Sequence, residues 1–301
     1  MSIKHTVSTG HTPGIQPRRT VATRFGPVSY LEAGTGPAAL FVHGVFLNGD
    51  LWRHQLEGLA DIRRGVAVDL LAHGESVNPG PDRLTIEAQV QMVMDVLGGL
   101  GIDQVDLVGN DSGGAIAQLV ATRSPERVRS LTLTNCDTHD NWPPEAFRPI
   151  FDLARAGGLT EAAQALAADP VAARAALASG LEDPAALPPA TVSSFLAPFG
   201  DPARAEALQA YVARMDSAVT VAVRDDLARF DRPTLVVWGT ADDFFDVRWA
   251  HWLAETIPGT VRCVELEGAK LFFPLERPAF TEELRAFWTG SPPPDLGAAR
   301  P

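Results

Sequence analysis

Apolar and polar positions along this chain follow two rhythms. Continuous apolar runs of strand length occur at Ala38–Val42, Gly65–Leu70, Val105–Val108, Ser130–Asn135, Thr234–Trp238 and Val261–Leu266, the pattern of buried strands bounded by turn residues. Two further short strands, Val21–Phe25 and Val28–Glu32, are joined by Gly26-Pro27. Between the strands, apolar residues recur at helical spacing. Asp50 is a fair N-cap for a helix to about Leu59, and Leu84–Leu100 ends at Gly101. Further helices are predicted over Ala115–Val120, Val247–Thr256 and Phe280–Trp288. Strands alternating with helices predict an α/β fold: a mostly parallel, doubly wound sheet covered on both faces.

From His139 to Leu227 the alternation stops. Pro143-Pro144 opens an Ala-rich, strand-poor stretch broken by Asp169-Pro170, Asp183-Pro184 and Asp201-Pro202. It reads as an inserted helical cap at 139–227, with the core at 20–138 and 228–290. Residues 1–19 show no period and read as a flexible arm. The Pro-rich stretch 291–301 reads as a disordered tail. No internal repeat is visible.

The net charge of −12 over 301 residues argues against nucleic acid and anionic membranes as partners. Cys136 and Cys263 both fall in apolar strand-like runs, where reduced, buried thiols are expected. The N-terminal residues lack an apolar signal core, and no run of 18 apolar residues occurs. A cytoplasmic monomer or homodimer is the expectation. No His/Cys/Glu cluster has ligand spacing, so no metal or organic cofactor is expected.

The chemistry concentrates at Gly109-Asn110-Asp111-Ser112-Gly113-Gly114, between an apolar strand and a helical run. This is the strand–turn–helix context of a nucleophile elbow, with Asp111 at its centre. Small residues at 109 and 113 permit the close packing that such a turn needs. The following helix aims its positive end at the site. The N–H groups of Ser112 and of Val45, just after His43-Gly44, are the candidate oxyanion donors.

Four pieces in this order, Phe41-Val42-His43-Gly44, Asp69 to Ser76, the elbow and Val237 to Asp242, resemble the α/β-hydrolase superfamily over roughly residues 20–290. With Asp at the elbow, the chain is similar to the epoxide hydrolase and haloalkane dehalogenase branches. The resemblance implies that Asp111 attacks carbon to give an alkyl-enzyme ester, which a histidine-activated water then cleaves. Asp242 matches the triad acid. Asp243 is its nearest substitute, and Asp137 and Asp140 lie where some dehalogenases carry that acid. His43 is expected to brace the oxyanion loop, and His73 has the same standing.

Several positions depart from the pattern. Counting back from Pro278, the place of the catalytic histidine falls on Leu271, which cannot accept a proton. His139 at the cap entrance is the first candidate to replace it, with His251 and Lys270 behind it. Ser112 stands where dehalogenases carry a Trp that donates to the halide. The leaving-oxygen donors of epoxide hydrolases are cap tyrosines, and the only one here is Tyr211. Phe46 replaces the usual oxyanion-loop proline. Phe46, Tyr211, Phe244, Phe245, Leu271 and Phe272 are expected to line a dry, apolar pocket for a small or medium hydrophobic substrate. Three functions compete: covalent hydrolysis by Asp111, non-covalent acid/base catalysis by Asp111 (an isomerase, cyclase or lyase type), and ligand binding by a degenerate homologue.

Overall fold

A computed structural model describes residues 14–292 of the chain. Its eight strands are β1 (Arg19–Thr23), β2 (Gly26–Ala33), β3 (Ala38–Val42), β4 (Arg64–Val68), β5 (Val105–Asp111), β6 (Val128–Cys136), β7 (Thr234–Gly239) and β8 (Thr260–Leu266). They form one sheet in the order β1-β2-β4-β3-β5-β6-β7-β8. The β1–β2 and β2–β4 pairs are antiparallel and all others parallel. Every residue of β3, β5 and β7 is buried, as expected of strands covered on both faces.

The covering helices follow the predicted order: α1 (Arg53–Gly58), α2 (Ile86–Gly99) and α3 (Ser112–Arg123) before the cap. The stretch between β6 and β7 contains α4 (Arg148–Arg155), α5 (Leu159–Ala168), α6 (Pro170–Leu177), α7 (Pro189–Leu196), α8 (Pro202–Ala213), α9 (Ala218–Ala222) and α10 (Arg224–Leu227), with no strand among the described residues. Asp169 and Asp201, which mark breaks in the sequence, cap α6 and α8 by accepting from N–H groups of the first turn. The core then closes with α11 (Arg248–Thr256) and α12 (Pro278–Thr289). No helix among the described residues is long and apolar enough to cross a membrane.

Two sequence expectations change in detail. Asp50 is not the N-cap of its helix. Asn48 takes that place, accepting from the Asp50 N–H at 2.9 Å and opening a 3-10 turn that leads into α1. Asp50 instead pairs with Arg18 at 2.9 Å and Arg53 at 2.6 Å. The arm expected over 1–19 also reaches into the sheet. Its residues 1–13 lie outside the described residues, as do 293–301 of the predicted tail. Arg19 already belongs to β1, and the Gln16 N–H donates to the Glu32 carbonyl at 2.8 Å.

Arg18 explains the anchoring. Its guanidinium contacts both Asp50 and Asp69, and the Asp69 side chain is fully buried. Asp69 also accepts from the N–H groups of Gly49 at 2.8 Å and Glu75 at 3.1 Å. It thereby ties the loop after β3 to the loop after β4. Removing the cation would leave a buried carboxylate served by two amides alone. Arg18→Ala is therefore expected to cost about 3 kcal/mol in urea unfolding, far more than an arm residue should. A loss under about 0.5 kcal/mol, the scale of an ordinary surface change, would show that the segment is not anchored.

Candidate active site

β5 delivers Asp111 to the end of the sheet and α3 begins at the next residue. Asp111 has φ 56° and ψ −134°, a conformation that costs a non-glycine residue energy and persists only where the surroundings impose it. Those surroundings are backbone. A Cβ on Gly109 would stand 2.5 Å from the Gly113 carbonyl oxygen, and one on Gly113 would stand 2.3 Å from that of Val42. The turn is thus packed against the end of β3, as the spacing of its glycines predicts.

The same contact addresses the reactive group. A Cβ on Gly44 would lie 2.1 Å from Oδ2 of Asp111, so this oxygen rests on the backbone of the oxyanion loop. The Ser112 and Val45 N–H groups both stabilise the Asp111 carboxylate. The Val45 N–H also donates to the Ser112 hydroxyl at 3.1 Å. The two expected oxyanion donors therefore lie at the elbow, the Val45 N–H bonded to the Ser112 hydroxyl. His43 braces their loop: its Nε2 accepts from the Leu70 N–H at 2.9 Å, and its Nδ1 contacts the Gly44 carbonyl at 2.7 Å. Burial holds His43 well below the usual histidine range and His73 at about 4. Both rings are neutral at pH 7, and neither lines the cavity.

Asp111 opens into a cavity of about 330 Å³ between the sheet and the cap. Phe46, Phe244, Phe245, Leu271 and Phe272 line it, as expected, together with cap residues such as Trp142, Phe147 and Ile150. Tyr211 does not line it. The ring is buried on α8 and its hydroxyl has no hydrogen-bond partner among the described residues. Among the described residues, the ionisable side chains lining the cavity are Asp111 and Asp137, and no histidine joins them.

Burial pushes Asp111 up to about 7, with the Asp242 charge adding to the shift and the two N–H groups opposing it. Asp137 follows β6, beside Asp111 across the sheet. The Asp137 N–H donates to the Asp111 carbonyl at 3.3 Å. Burial, then the Asp111 charge, drives the Asp137 carboxyl well above the carboxylate range. Asp242 stands at the end of β7, held at about 6 by burial against the pull of its hydrogen bonds. It accepts from Asn135 Nδ2 at 2.6 Å and the Phe244 N–H at 2.8 Å. Its oxygens are engaged without any histidine, and it does not line the cavity.

The proposed replacements for the base are not brought to the cavity. His139 turns away at φ 50° and stacks on Trp252 of α11, ring centroids 4.8 Å apart, with Trp249 edge-on. Two aromatic rings one helical turn apart offer a better surface to the imidazole than the mouth of the cap. His251 pairs with Glu265 at 2.8 Å on the exterior, and Lys270 reaches Asp243 at 3.5 Å. Leu271 does face the cavity. Its carbonyl accepts from Asn110 Nδ2 at 3.1 Å, which binds that loop to the residue before Asp111. Cys136 is buried, Cys263 is half-buried, and both are free thiols. Among the described residues no group of three His, Cys, Asp or Glu side chains could hold a metal ion.

The chain belongs to the α/β-hydrolase fold family, whose model matches residues 37–278, and it is an enzyme of that superfamily. It is 38% identical over 108 residues to a 2-hydroxymuconate semialdehyde hydrolase from a Pseudomonas strain, covering 34% of this chain and 37% of that one. It is 37% identical over 114 residues to epoxide hydrolase 2 of Siraitia grosvenorii, covering 37% and 36%. These two matches span little more than a third of either relative. Haloalkane dehalogenase 2 of Mycobacterium bovis is 29% identical over 267 residues, covering 84% of this chain and 88% of that one. Among solved structures, a haloalkane dehalogenase from Bradyrhizobium elkani superposes with a TM-score of 0.77 at 22% identity, covering 91% and 97% of the two chains.

The raised Asp111 has a measurable cost. An unfolded aspartate titrates near 4, whereas the folded one titrates at about 7. Below pH 4 both are protonated and the group is neutral to folding. Between pH 4 and 7 the unfolded chain loses its proton first, so stability falls as pH rises. Three pK units correspond to roughly 4 kcal/mol, complete above pH 7. Asparagine tolerates the positive φ at 111 and carries no charge. Asp111→Asn is expected to gain stability over the wild type as pH rises from 4 to 8 in calorimetric scans. A pH-independent difference would refute the burial cost.

Proposed function

We propose that the enzyme hydrolyses a small or medium hydrophobic molecule through a covalent ester on Asp111. The supporting observation is where the oxyanion donors point. In an enzyme that merely polarises a bound carbonyl, the donors would be free to face the ligand. Here Oδ2 of the elbow carboxylate lies against Gly44 of the oxyanion loop, and the Val45 and Ser112 N–H groups oppose the rise in the proton affinity of Asp111. Once the other oxygen is alkylated, Oδ2 becomes the ester carbonyl. Water attack at Cγ then places negative charge on Oδ2, beside the oxyanion loop and the positive end of α3. Asp242, held by Asn135 and the Phe244 N–H, raises the proton affinity of Asp111 by its charge. The aromatic cavity selects an apolar substrate and excludes water from the carboxylate. Leu271 occupies the position of the usual base, so the second half-reaction uses another group.

One observation favours a second reading. A carboxyl at about 7 in a dry cavity is matched to general acid or base work at neutral pH. In that reading Asp111 moves protons and never bonds to carbon.

The two readings separate by the fate of solvent oxygen. Turnover in water enriched in heavy oxygen is expected to place label in the Asp111 peptide, since the attacking water oxygen is retained in the carboxyl when the ester is cleaved. Product formed without label in Asp111 would defeat the covalent reading and leave the acid/base one.

A further inference from the structure

Asp137 is the one buried ionisable group of the cavity that the reaction has not yet used. Its residue is 2% exposed, and Oδ1 is buried without a hydrogen-bond partner among the described residues. An unpartnered, buried carboxyl oxygen is costly, and sites keep one where the group has work to do. Position makes that work definite. Cys136 is the register partner of Asp111 across β5 and β6, and Asp137 comes next. The two carboxyls therefore line one cavity from adjacent strand ends. Two buried carboxyls lining one cavity repel when both are ionised, so the favoured state of the pair has one proton and one charge. Asp111 caps the positive end of α3, whereas Oδ1 of Asp137 has no donor among the described residues, which places the charge on Asp111 and the proton on Asp137.

Resting on the reading of Asp111 as nucleophile, we infer that Asp137 is the proton donor to the leaving group and then the base for the hydrolytic water. It thereby replaces the histidine missing at Leu271. In the first step a lone pair of Asp111 forms the C–O ester bond and the carbon–leaving-group bond breaks. The Asp137 proton passes to the departing atom. Asp137, now ionised, takes a proton from water as that water adds to Cγ of Asp111. Collapse of the adduct breaks the Cγ–O(alkyl) bond, and the released alkoxide takes the proton back from Asp137. The new Asp111 carboxyl then returns its proton to Asp137. One substrate and one water are consumed, and the pair ends with its original proton and charge.

This cycle selects its substrate. Asp137 becomes a base only if the leaving atom accepts its proton. A ring oxygen, as in an epoxide, does so. A halide departs without a proton, so Asp137 stays protonated and the ester has no base. The cycle therefore completes on cyclic ethers and stalls on alkyl halides after the first step.

The test uses the full chain with terminal epoxyhexane and primary bromohexane, following product release and intact mass together. The wild type is expected to turn over the epoxide and to accumulate one alkyl group on Asp111 from the bromide, with no more than a single turnover. Asp137→Asn should lose epoxide turnover by at least about 100-fold yet still be alkylated by the bromide, which shows that its site is intact. Steady bromide hydrolysis by the wild type would overturn the role of Asp137 whatever the variant does. So would epoxide turnover by Asp137→Asn within a few-fold of wild type. In both cases heavy-oxygen label or an alkyl adduct on Asp111 would keep the covalent reading, and the absence of both would end it too. If neither probe reacts at Asp111 of the wild type, the covalent reading itself fails and the role of Asp137 falls with it.

Discussion

The close approach of two backbone segments governs this molecule. The turn after β5 is pressed against the end of β3 so closely that Gly113 has no room for a side chain, while Gly44 abuts the Asp111 side chain and Gly109 the backbone of the turn itself. That contact imposes the positive φ on Asp111 and seats its Oδ2 against the oxyanion loop. It also ranks the local forces. Burial raises the proton affinity of Asp111, and the two amides can only reduce that rise. The parallel register of β5 and β6 then sets a second carboxyl beside the first. Much of the remaining fold supports these few ångströms: His43 and Asp69 brace the loops, and Asn110 fastens the neighbouring one.

Much of this was legible in the sequence because it depends on local pattern. Continuous apolar runs located the strands of the sheet, and β3 spans the residues its run predicts. The tight turn at Gly109 to Gly113 could be anticipated from its glycines, since Gly109 is crowded by the turn's own backbone. The apolar cavity could be anticipated from phenylalanines clustered on the two loops after β7 and β8. What could not be read depends on contacts between distant segments. His139 looked available at the cap entrance, but its stacking surface is a pair of tryptophans on α11 more than a hundred residues away. Asp137 stood in the sequence beside Asp140, with nothing to say that one would be buried and the other exposed. Parallel register decided that, and register is not written in either segment alone. The attachment of Arg18 was hidden for the same reason, since its two carboxylates come from different loops.

The cap is joined to the core at defined points. The Phe272 N–H donates to the Gly180 carbonyl at 2.8 Å, and the Phe272 ring fills the space where a side chain at 180 would stand. Thr220 donates to the His139 carbonyl at 2.6 Å, and Asn48 donates to the Ser194 carbonyl at 2.8 Å. These bonds reach the base loop, the cap entrance and the oxyanion loop in turn. The walls of the cavity are therefore held by the same segments that carry its chemistry, so a change in cap packing is transmitted to the position of the carboxyls.

The bond from Asn110 to the Leu271 carbonyl has an evolutionary side. It grips the main chain of residue 271 and is indifferent to the side chain there. The loop can thus keep its place beside Asp111 whichever side chain stands at 271. Such an arrangement separates the shape of a catalytic centre from its proton inventory. A substitution at 271 can then change the chemistry of the cavity wall while this main-chain bond stays in place.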